Sequence, residues 1–311
     1  MKKVYAKNLT YLTTVILLLC STIAAAEVKA AYLYSLSNFN GSIPFSWTGL
    51  SSDKQHGEIY VINDGVVRVF NNVGMEIYHF GDDSTLGSVI DVAVEQDGKI
   101  IVLSYKGDAY SILRCNFRGE PKETIELKGL PQEFKNVVPR RLVYWNGQLY
   151  LADLFARKVV VIDSDGLFAD GYDVGADLAK DENPGSENYI SGFTVDSDGS
   201  MLFTVPTLFT AFRVSRDHKM QSFGRPGSLA GRFNVVAGIA SDDRGFIYVA
   251  DVLKSVVMVY DKEFKFQMQF GYRGDGRDNL TAPQQLEVIG DKVFVNQARR
   301  KGISVFRIAY D

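Results

Sequence analysis

The sequence predicts an all-β protein, a six-bladed β-propeller of four-stranded antiparallel blades. One strand–turn–strand pattern recurs six times, at intervals of 41 to 52 residues, without long helical patterns between the copies. The clearest copy, GIASDDRGFIYVADVLKSVVMVYD, spans Gly238–Asp261. Its Asp/Gly turn supplies the positive φ of a tight hairpin, and β-branched and aromatic residues fill its strands. One such unit cannot bury its own apolar face, so the copies are expected to pack against one another.

The second strands are aligned on one apolar position in each copy: Ile59, Ile100, Leu149, Met201, Ile247 and Val293. The first strands are predicted upstream, at Thr48–Leu50, Ile90–Val94, Leu142–Tyr144, Gly192–Val195, Gly238–Ala240 and Leu286–Ile289. The third strands are predicted downstream, at Val66–Phe70, Ala109–Arg114, Val159–Asp163, Ala211–Val214, Val256–Tyr260 and Ile303–Arg307. The fourth strands are predicted at Glu76–Phe80, Thr124–Leu127, Ala169–Val174, Met220–Phe223 and Phe266–Phe270. Four strands in each 40–50 residues are typical of propeller blades.

The sixth copy stops after its third strand, at Asp311. The segment Ala31–Leu36 precedes the first copy and has the pattern of the missing fourth strand. We therefore expect the N-terminal strand to complete the last blade, because closing the ring removes two free sheet edges. A β-sandwich would not repeat one pattern six times. A parallel α/β sheet would need longer helices than the stretch Gly175–Lys180.

The first 26 residues have the features of an export signal. Lys2, Lys3 and Lys7 precede the apolar run Tyr11–Ile23, and Ala24–Ala26 offers small residues for cleavage before Glu27. The mature chain, 27–311, is then a single propeller domain, periplasmic or secreted. The alternatives are an uncleaved N-terminal anchor and a lipoprotein that uses Cys20, but the apolar run is shorter than a bilayer span and Leu19 precedes the cysteine.

Composition and net charge argue against several classes of protein. The chain has 311 residues, 46% of them hydrophobic, which is enough for a large core. Its formal net charge is −3, and it becomes −6 once three lysines leave with the signal. An acidic chain is not typical of nucleic-acid binding. Cleavage would leave Cys115 as the one cysteine, so we expect neither an intrachain disulfide nor a Cys/His zinc site.

The repeats resemble the NHL family of propellers, in an exported bacterial form. The resemblance is closest where the glycine-rich linker Phe223–Asn234 leads into GIASDDRGFIYVAD and VVMVYD. The linker Phe270–Asn279 and the third copy, VPRRLVYWNGQLYLADLFARKVVVID, follow the same pattern. The resemblance covers about Ala31–Asp311. It implies the fold and no particular activity, because this fold hosts ligase recognition domains, receptor ectodomains, scaffolds and a few enzymes.

Asp153 and Asp251 end their second strands at one register, which could suggest a metal ring. The equivalent residues of the other copies are not carboxylates: Asn63, Ser104, Val205 and Gln297. In the family such an aspartate resembles a structural residue whose oxygens accept backbone N–H groups of the following loop.

Two short motifs in one blade linker suggest ligands. Arg273-Gly274-Asp275 spells an adhesion tripeptide, and the run Asp275–Asn279 superficially suggests calcium. The fold itself demands this glycine-rich linker, and the run lacks the alternating carboxylates and distal Glu of a calcium loop. We interpret both as parts of the linker.

Enzymatic propellers place metal ligands around the channel. Here the three histidines lie at non-equivalent blade positions, and two inner-strand glutamates lie far apart in the ring: His56, His79, His218, Glu95 and Glu287. We therefore predict no catalytic residue, no metal and no cofactor. A divergent lyase or lactonase stays an alternative.

The loops between the second and third strands carry bulky apolar and cationic residues where exposure is expected. The predicted partner-binding residues are Leu154, Phe155, Arg157, Lys158, Leu208, Phe209, Leu253, Lys254, Arg299, Arg300 and Lys301. Arg140 and Arg141 are expected to add positive charge at the same channel mouth. Such a face is typical of docking sites for acidic partners, although the apolar members could instead cap the core.

The sequence thus predicts a non-catalytic, exported interaction scaffold within a cell-envelope assembly. A protein partner is expected, and neither nucleic acid nor a stable membrane span after cleavage. The alternative is a sensor propeller whose channel holds a small ligand or glycan.

Overall fold

The computed structural model describes residues 28–45, 48–178 and 188–310. The predicted export signal lies outside the described residues. The strand β1 (Val28–Ser35) is followed by a small hairpin of β2 (Ser37–Asn38) and β3 (Gly41–Ser42), which the sequence analysis did not predict. Within the described ranges, no helix is both long and apolar enough to cross a bilayer.

Six four-stranded antiparallel sheets confirm the propeller, and blades 1 to 5 follow chain order from the inner to the outer strand. Blade 1 contains β4 (Gly49–Asp53), β5 (Glu58–Asn63), β6 (Val66–Phe70) and β7 (Glu76–Phe80). Blade 2 contains β8 (Ser88–Val94), β9 (Ile100–Lys106), β10 (Ala109–Cys115) and β11 (Pro121–Thr124). Blade 3 contains β12 (Arg141–Trp145), β13 (Gln148–Asp153), β14 (Lys158–Ile162) and β15 (Phe168–Asp173).

The later blades repeat this order. Blade 4 contains β16 (Gly192–Val195), β17 (Met201–Val205), β18 (Thr210–Val214) and β19 (Met220–Phe223). Blade 5 contains β20 (Val236–Ser241), β21 (Ile247–Asp251), β22 (Val256–Tyr260) and β23 (Phe266–Phe270). Blade 6 contains β24 (Pro283–Ile289), β25 (Lys292–Gln297) and β26 (Ile303–Tyr310), and its outer strand is β1.

The predicted closure of the ring is confirmed. β1 pairs antiparallel with β26 from Val28 opposite Tyr310 to Ser35 opposite Ser304. The ring of Tyr32 packs edge-on against Phe306, with 5.8 Å between the ring centroids. The first segment of the described chain therefore completes the last blade.

Some predicted boundaries were wrong. The outer strand of blade 2 is Pro121–Thr124, whereas the sequence predicted Thr124–Leu127. The Ile125 amide still donates to the Ile112 carbonyl of β10, and the chain leaves the sheet after it. The helical stretch predicted at Gly175–Lys180 corresponds to a short helix, Val174–Leu178. A 3-10 turn, Pro206–Leu208, also interrupts the loop of blade 4.

A repeated turn joins the third and fourth strands of blades 1 to 5. A polar residue begins each turn, and the residue three positions later has a positive φ and donates its amide to the first carbonyl. Glycine fills that position in three blades, and His218 and Phe264 fill it in the other two. This geometry fits the twist of the flanking strands. The first residues of the turns are Asn71, Asn116, Asp163, Ser215 and Asp261.

The core lies between the blades. The buried apolar residues form six clusters, one for each interface between neighbouring blades. Gly192 and Gly238 let the inner strands of blades 4, 5 and 6 approach closely. A Cβ atom on Gly192 would lie 2.4 Å from the Ala237 carbonyl oxygen, and one on Gly238 would lie 2.6 Å from that of Gln284.

Candidate functional site

The inner strands surround a central channel with two different mouths. We call one the loop face, because it carries the loops between second and third strands and the linkers between blades. The other is the turn face, because it carries the turns between first and second strands. The antiparallel order of every blade separates these two sets of connections.

A buried arginine divides the channel. Arg141, at the start of β12, donates from Nη1 to the Leu50 carbonyl of blade 1 (2.6 Å) and to Asp91 of blade 2 (3.2 Å). Its Nη2 donates to Oε1 of Glu287 in blade 6 (2.7 Å), on the opposite side of the ring. Ser52 completes the network by donating to Oε2 of Glu287 (2.9 Å). The network ties four inner strands together across the channel axis.

This geometry corrects one expectation from the sequence. Arg141 lies inside the channel with its charge compensated by Asp91 and Glu287, so it does not present a free charge at the loop face. Its neighbour Arg140 is exposed, and its guanidinium lies 5.4 Å from the centre of the Tyr110 ring. Consecutive residues of a strand point in opposite directions, which explains the difference between the two arginines.

Burial gives the Asp91 carboxyl an unusual titration. Loss of solvent raises its pKa from 3.8 to about 6, and Arg141 and the Leu142 amide oppose this rise. The carboxyl of an unfolded chain ionises near pH 4, so the unfolded state loses its proton first as the pH increases. The stability contributed by this group is therefore complete below pH 4 and is lost as the pH rises through 6.

This loss of stability with rising pH should be visible when the wild type is compared with Asp91→Asn, which cannot ionise at this position. The free energy of unfolding of the wild type, relative to Asp91→Asn, should fall by about 2 kcal/mol between pH 4 and pH 7. Urea denaturation at several pH values measures this difference, and the subtraction cancels groups common to both proteins. A difference that stays constant or increases with pH would contradict the prediction.

The turn face opens into a cavity of about 430 Å³. All six blades contribute to its lining, and Arg141 and Glu287 lie at its floor. Carboxylates, hydroxyl groups and valines all contribute to its wall. Lys54 of blade 1 and Asp243 of blade 5 form an ion pair of 3.5 Å at its rim.

On the loop face, three predicted partner-binding lysines have a structural role. Lys254 Nζ donates to the carbonyls of Leu229 (2.9 Å) and Arg232 (3.0 Å), in the linker between blades 4 and 5. Lys301 Nζ donates to three carbonyls of the next linker, and Lys158 Nζ donates to the Glu133 carbonyl (2.7 Å). Burial lowers the pKa of both Lys254 and Lys301. These lysines fix the linkers, which weakens their predicted role as free cations.

The predicted apolar residues divide into two groups. Leu154 and Leu208 are half-buried and pack against the core between blades 3 and 4. Phe155, Leu253 and Phe209 are 70%, 60% and 40% exposed. Two of the predicted residues therefore cap the core, and three present apolar surface to the solvent.

The structural interpretation of the repeated aspartates is confirmed. Oδ1 of Asp153 accepts the amides of the following loop, at Phe155 and Ala156, and its Oδ2 accepts the Val138 amide of the preceding linker. Asp251 makes the same connections in blade 5. In blade 6, the Gln297 side chain accepts the Thr281 amide of its linker.

Four exposed arginines on the loop face are not among the predicted partner-binding residues. The predicted residues belong to loops within blades, whereas these arginines lie in the glycine-rich linkers between blades 4 and 5 and between blades 5 and 6. Arg299 and Arg300 are also exposed, in the neighbouring loop of blade 6. The additional residues are Arg225, Arg232, Arg273 and Arg277.

The histidines occupy separate places. His56 Nδ1 bonds Asp53 Oδ2 at 2.7 Å, which raises the pKa of the imidazole. His218 Nε2 lies 2.9 Å from Asp170 Oδ2 in another blade interface. The described part of the chain contains no group of three or more His, Cys, Asp or Glu side chains arranged to hold a metal ion.

Comparisons with known proteins support the fold. No family model matches the chain. The Drosophila melanogaster protein brain tumor is 29% identical over 87 residues, which are 27% of this chain and 8% of that protein. The chain thus matches a small part of that relative.

Solved structures are similar over most of the chain. A Bacteroides thetaiotaomicron protein of unknown function has a TM-score of 0.63 at 11% identity, over 91% of this chain and 77% of its own. An aldose sugar dehydrogenase from Streptomyces coelicolor has a TM-score of 0.58 at 12% identity, over 91% and 99%. Virginiamycin B lyase from Staphylococcus aureus has a TM-score of 0.54 at 14% identity, over 91% and 99%. At such identities the likeness shows the fold alone, a six-bladed β-propeller.

Proposed function

We propose that the chain is an exported NHL-type propeller that acts as a binding module and docks an acidic protein partner on its loop face. The observation that carries this proposal is a cluster of exposed arginines around blades 5 and 6. We call this cluster the arginine face; its members are Arg225, Arg232, Arg273, Arg277, Arg299 and Arg300.

The charge of this region opposes that of the whole chain. The segments 224–235, 252–255, 271–282 and 298–302 contain eight Lys and Arg residues and two Asp residues. The complete chain has a formal net charge of −3. A positive patch on an acidic protein favours acidic partners and steers their approach, with an affinity that falls as salt increases.

Apolar side chains stand among the arginines. Leu229, Leu253 and Tyr272 are exposed in the same loops. Contacts between these loops hold them in place: Lys254 binds the linker that carries Leu229, and Ser255 accepts the Ala282 amide (3.4 Å). Apolar and aromatic anchors surrounded by arginine are typical of protein interfaces. The rigid loops favour a preformed surface, since little order has to be gained on binding.

The test uses the chain from Glu27 as bait in envelope and cytoplasmic extracts. We expect a partner from the envelope extract, retained in 50 mM salt and released in 500 mM salt, because charge pairs are screened. The variant Arg273→Ala/Arg277→Ala/Arg299→Ala should reduce the affinity of the purified partner at least tenfold. Leu253→Ser should also weaken it.

The control variant removes three exposed arginines elsewhere, Arg118→Ala/Arg216→Ala/Arg307→Ala, and so has the same net charge. Phe117→Ser is the control for the loss of an exposed apolar side chain. Equal losses in test and control variants would indicate non-specific charge attraction and reject the arginine face. A partner present in the cytoplasmic extract alone would reject the proposed export.

A further inference from the structure

The cavity on the turn face is surrounded by more negative than positive charge. Three arginines lie beside it, and each of them faces two carboxylates. Arg114 pairs with Glu95 (3.1 Å) and with Glu123. Because one guanidinium compensates one carboxylate, this cluster keeps a formal charge of −1.

The other two clusters have the same composition. Arg213 pairs with Asp198 and lies 3.7 Å from Asp196. Arg141 is shared between Asp91 and Glu287. One carboxylate of each cluster lines the cavity: Glu95, Asp196 and Glu287. The three clusters together leave a formal charge of −3 around a partly enclosed space, where low-dielectric walls strengthen the field.

The remaining charged groups do not reverse this sign. Lys54 at the rim is paired with Asp243. Asp53 faces the imidazole of His56, which lies outside the lining. Arg141 is the one cation at the floor among the described lining residues, and its Nη1 and Nη2 already donate to Asp91, Glu287 and the Leu50 carbonyl. An anionic ligand would thus meet carboxylates and no available cation.

Two buried serines provide an independent observation. Ser51 and Ser241 are 7% and 6% exposed and line the cavity. Among the described residues no group lies within hydrogen-bonding distance of these two hydroxyls or of the Thr194 hydroxyl in the opposite wall, and all three residues line the cavity. Buried polar groups are normally hydrogen-bonded. These hydroxyls are therefore available to a bound molecule.

Apolar surface separates the polar groups. Val94, Val143, Val195 and Val288 belong to the same lining. A volume of about 430 Å³ is within the range of small-molecule sites, which combine apolar walls with a few polar groups. The valines suit methylene groups, and the carboxylates and hydroxyls suit N–H donors.

We propose that this cavity binds a small organic cation, an alkyl amine whose ammonium group lies among the carboxylates of Glu95, Asp196 and Glu287. The site is separate from the arginine face and does not depend on the proposed partner. The hydroxyl groups of Ser51 and Ser241 accept further N–H donors of the ligand.

Three probes with the same five-carbon chain test which ligand charge the cavity prefers: 1,5-diaminopentane is a cation, 1,5-pentanediol is neutral and glutarate is an anion. Calorimetry and amide chemical-shift mapping at pH 7 measure their binding to the chain from Glu27. We expect one saturable site for the diamine, at least tenfold tighter than for the diol, and no saturable binding of glutarate. The shifts should include the amides of Ser51, Thr194 and Ser241.

Glu95→Gln and Asp196→Asn should each reduce the affinity for the diamine three- to tenfold. Asp278→Asn makes the same charge change on the loop face and should leave its affinity unchanged. Glutarate or the diol binding as tightly as the diamine would overturn the proposal. Amide chemical-shift changes that the diamine causes only on the outer surface would also overturn it. Equal losses of diamine affinity in all three variants would do the same.

Discussion

Replacing Arg141 with methionine should lower the free energy of unfolding by about 3 to 5 kcal/mol, since removal of one partner from a buried ion network leaves an uncompensated charge. Here two carboxylates, Asp91 and Glu287, would lose their shared cation. The Leu50 carbonyl would also lose a donor. The substitution keeps most of the side-chain volume, so the lost charge and hydrogen bonds should dominate the effect. Urea denaturation of the chain from Glu27 measures it.

The adjacent residue provides a matched control. Arg140 is exposed, and Arg140→Met should change the free energy of unfolding by less than about 1 kcal/mol. A background of Asp91→Asn and Glu287→Gln carries no carboxylates at the network, and Arg141→Met should lose less than half as much stability there. Similar losses in both backgrounds would show that Arg141 acts through packing rather than through charge.

Removing β1 by starting the chain at Leu36 should lower the free energy of unfolding by an amount on the order of 5 kcal/mol. The truncation exposes the outer edge of β26 and part of the cluster around Phe306, against which Val28, Ala30 and Tyr32 pack. A loss of this size approaches the total stability of many domains. The truncated chain should therefore unfold at lower urea concentration and aggregate through its new edge.

A peptide added in trans provides the decisive measurement for β1. The peptide 28–35 should restore part of the stability by pairing with β26, as added strands do on open sheet edges. A peptide with Tyr32 and Leu33 changed to Asp serves as its control. If the chain from Leu36 were as stable as the chain from Glu27, closure by β1 would contribute little.

The fold was predictable because it depends on local patterns that repeat. Each second strand could be located from one apolar position, as at Leu149 and Ile247, and the strand-ending Asp153 and Asp251 identified their loops. The strand boundaries were less predictable where turns carry apolar residues, as after Thr124. The hairpin of β2 and β3 has no counterpart in the other copies, so the repeat could not reveal it.

The arrangement within the channel was not predictable in the same way. The partners of Arg141 lie 50 and 146 residues away in the chain, and their meeting depends on the ring geometry. Two adjacent arginines gave no sign of which one faces inward. The lysines that bind the linkers likewise looked like free cations, because backbone carbonyls carry no sequence signal. The linker arginines are plain in the sequence, but the resemblance to NHL propellers explains the glycine-rich linkers as structural segments. Their arginines were therefore not predicted to bind a partner.

The pairing of β1 with β26 has a consequence for the order of folding. Ser35 meets Ser304, and Val28 meets Tyr310, so the last blade joins residues from opposite ends of the described chain. Contacts with such large sequence separation form slowly, because a long loop must close before they contribute. Blades 1 to 5 contain all of their own strands and can form while synthesis continues. Blade 6 cannot close until β26 has been synthesised, and until then β1 remains an unpaired strand that chaperones or a translocation machinery could hold.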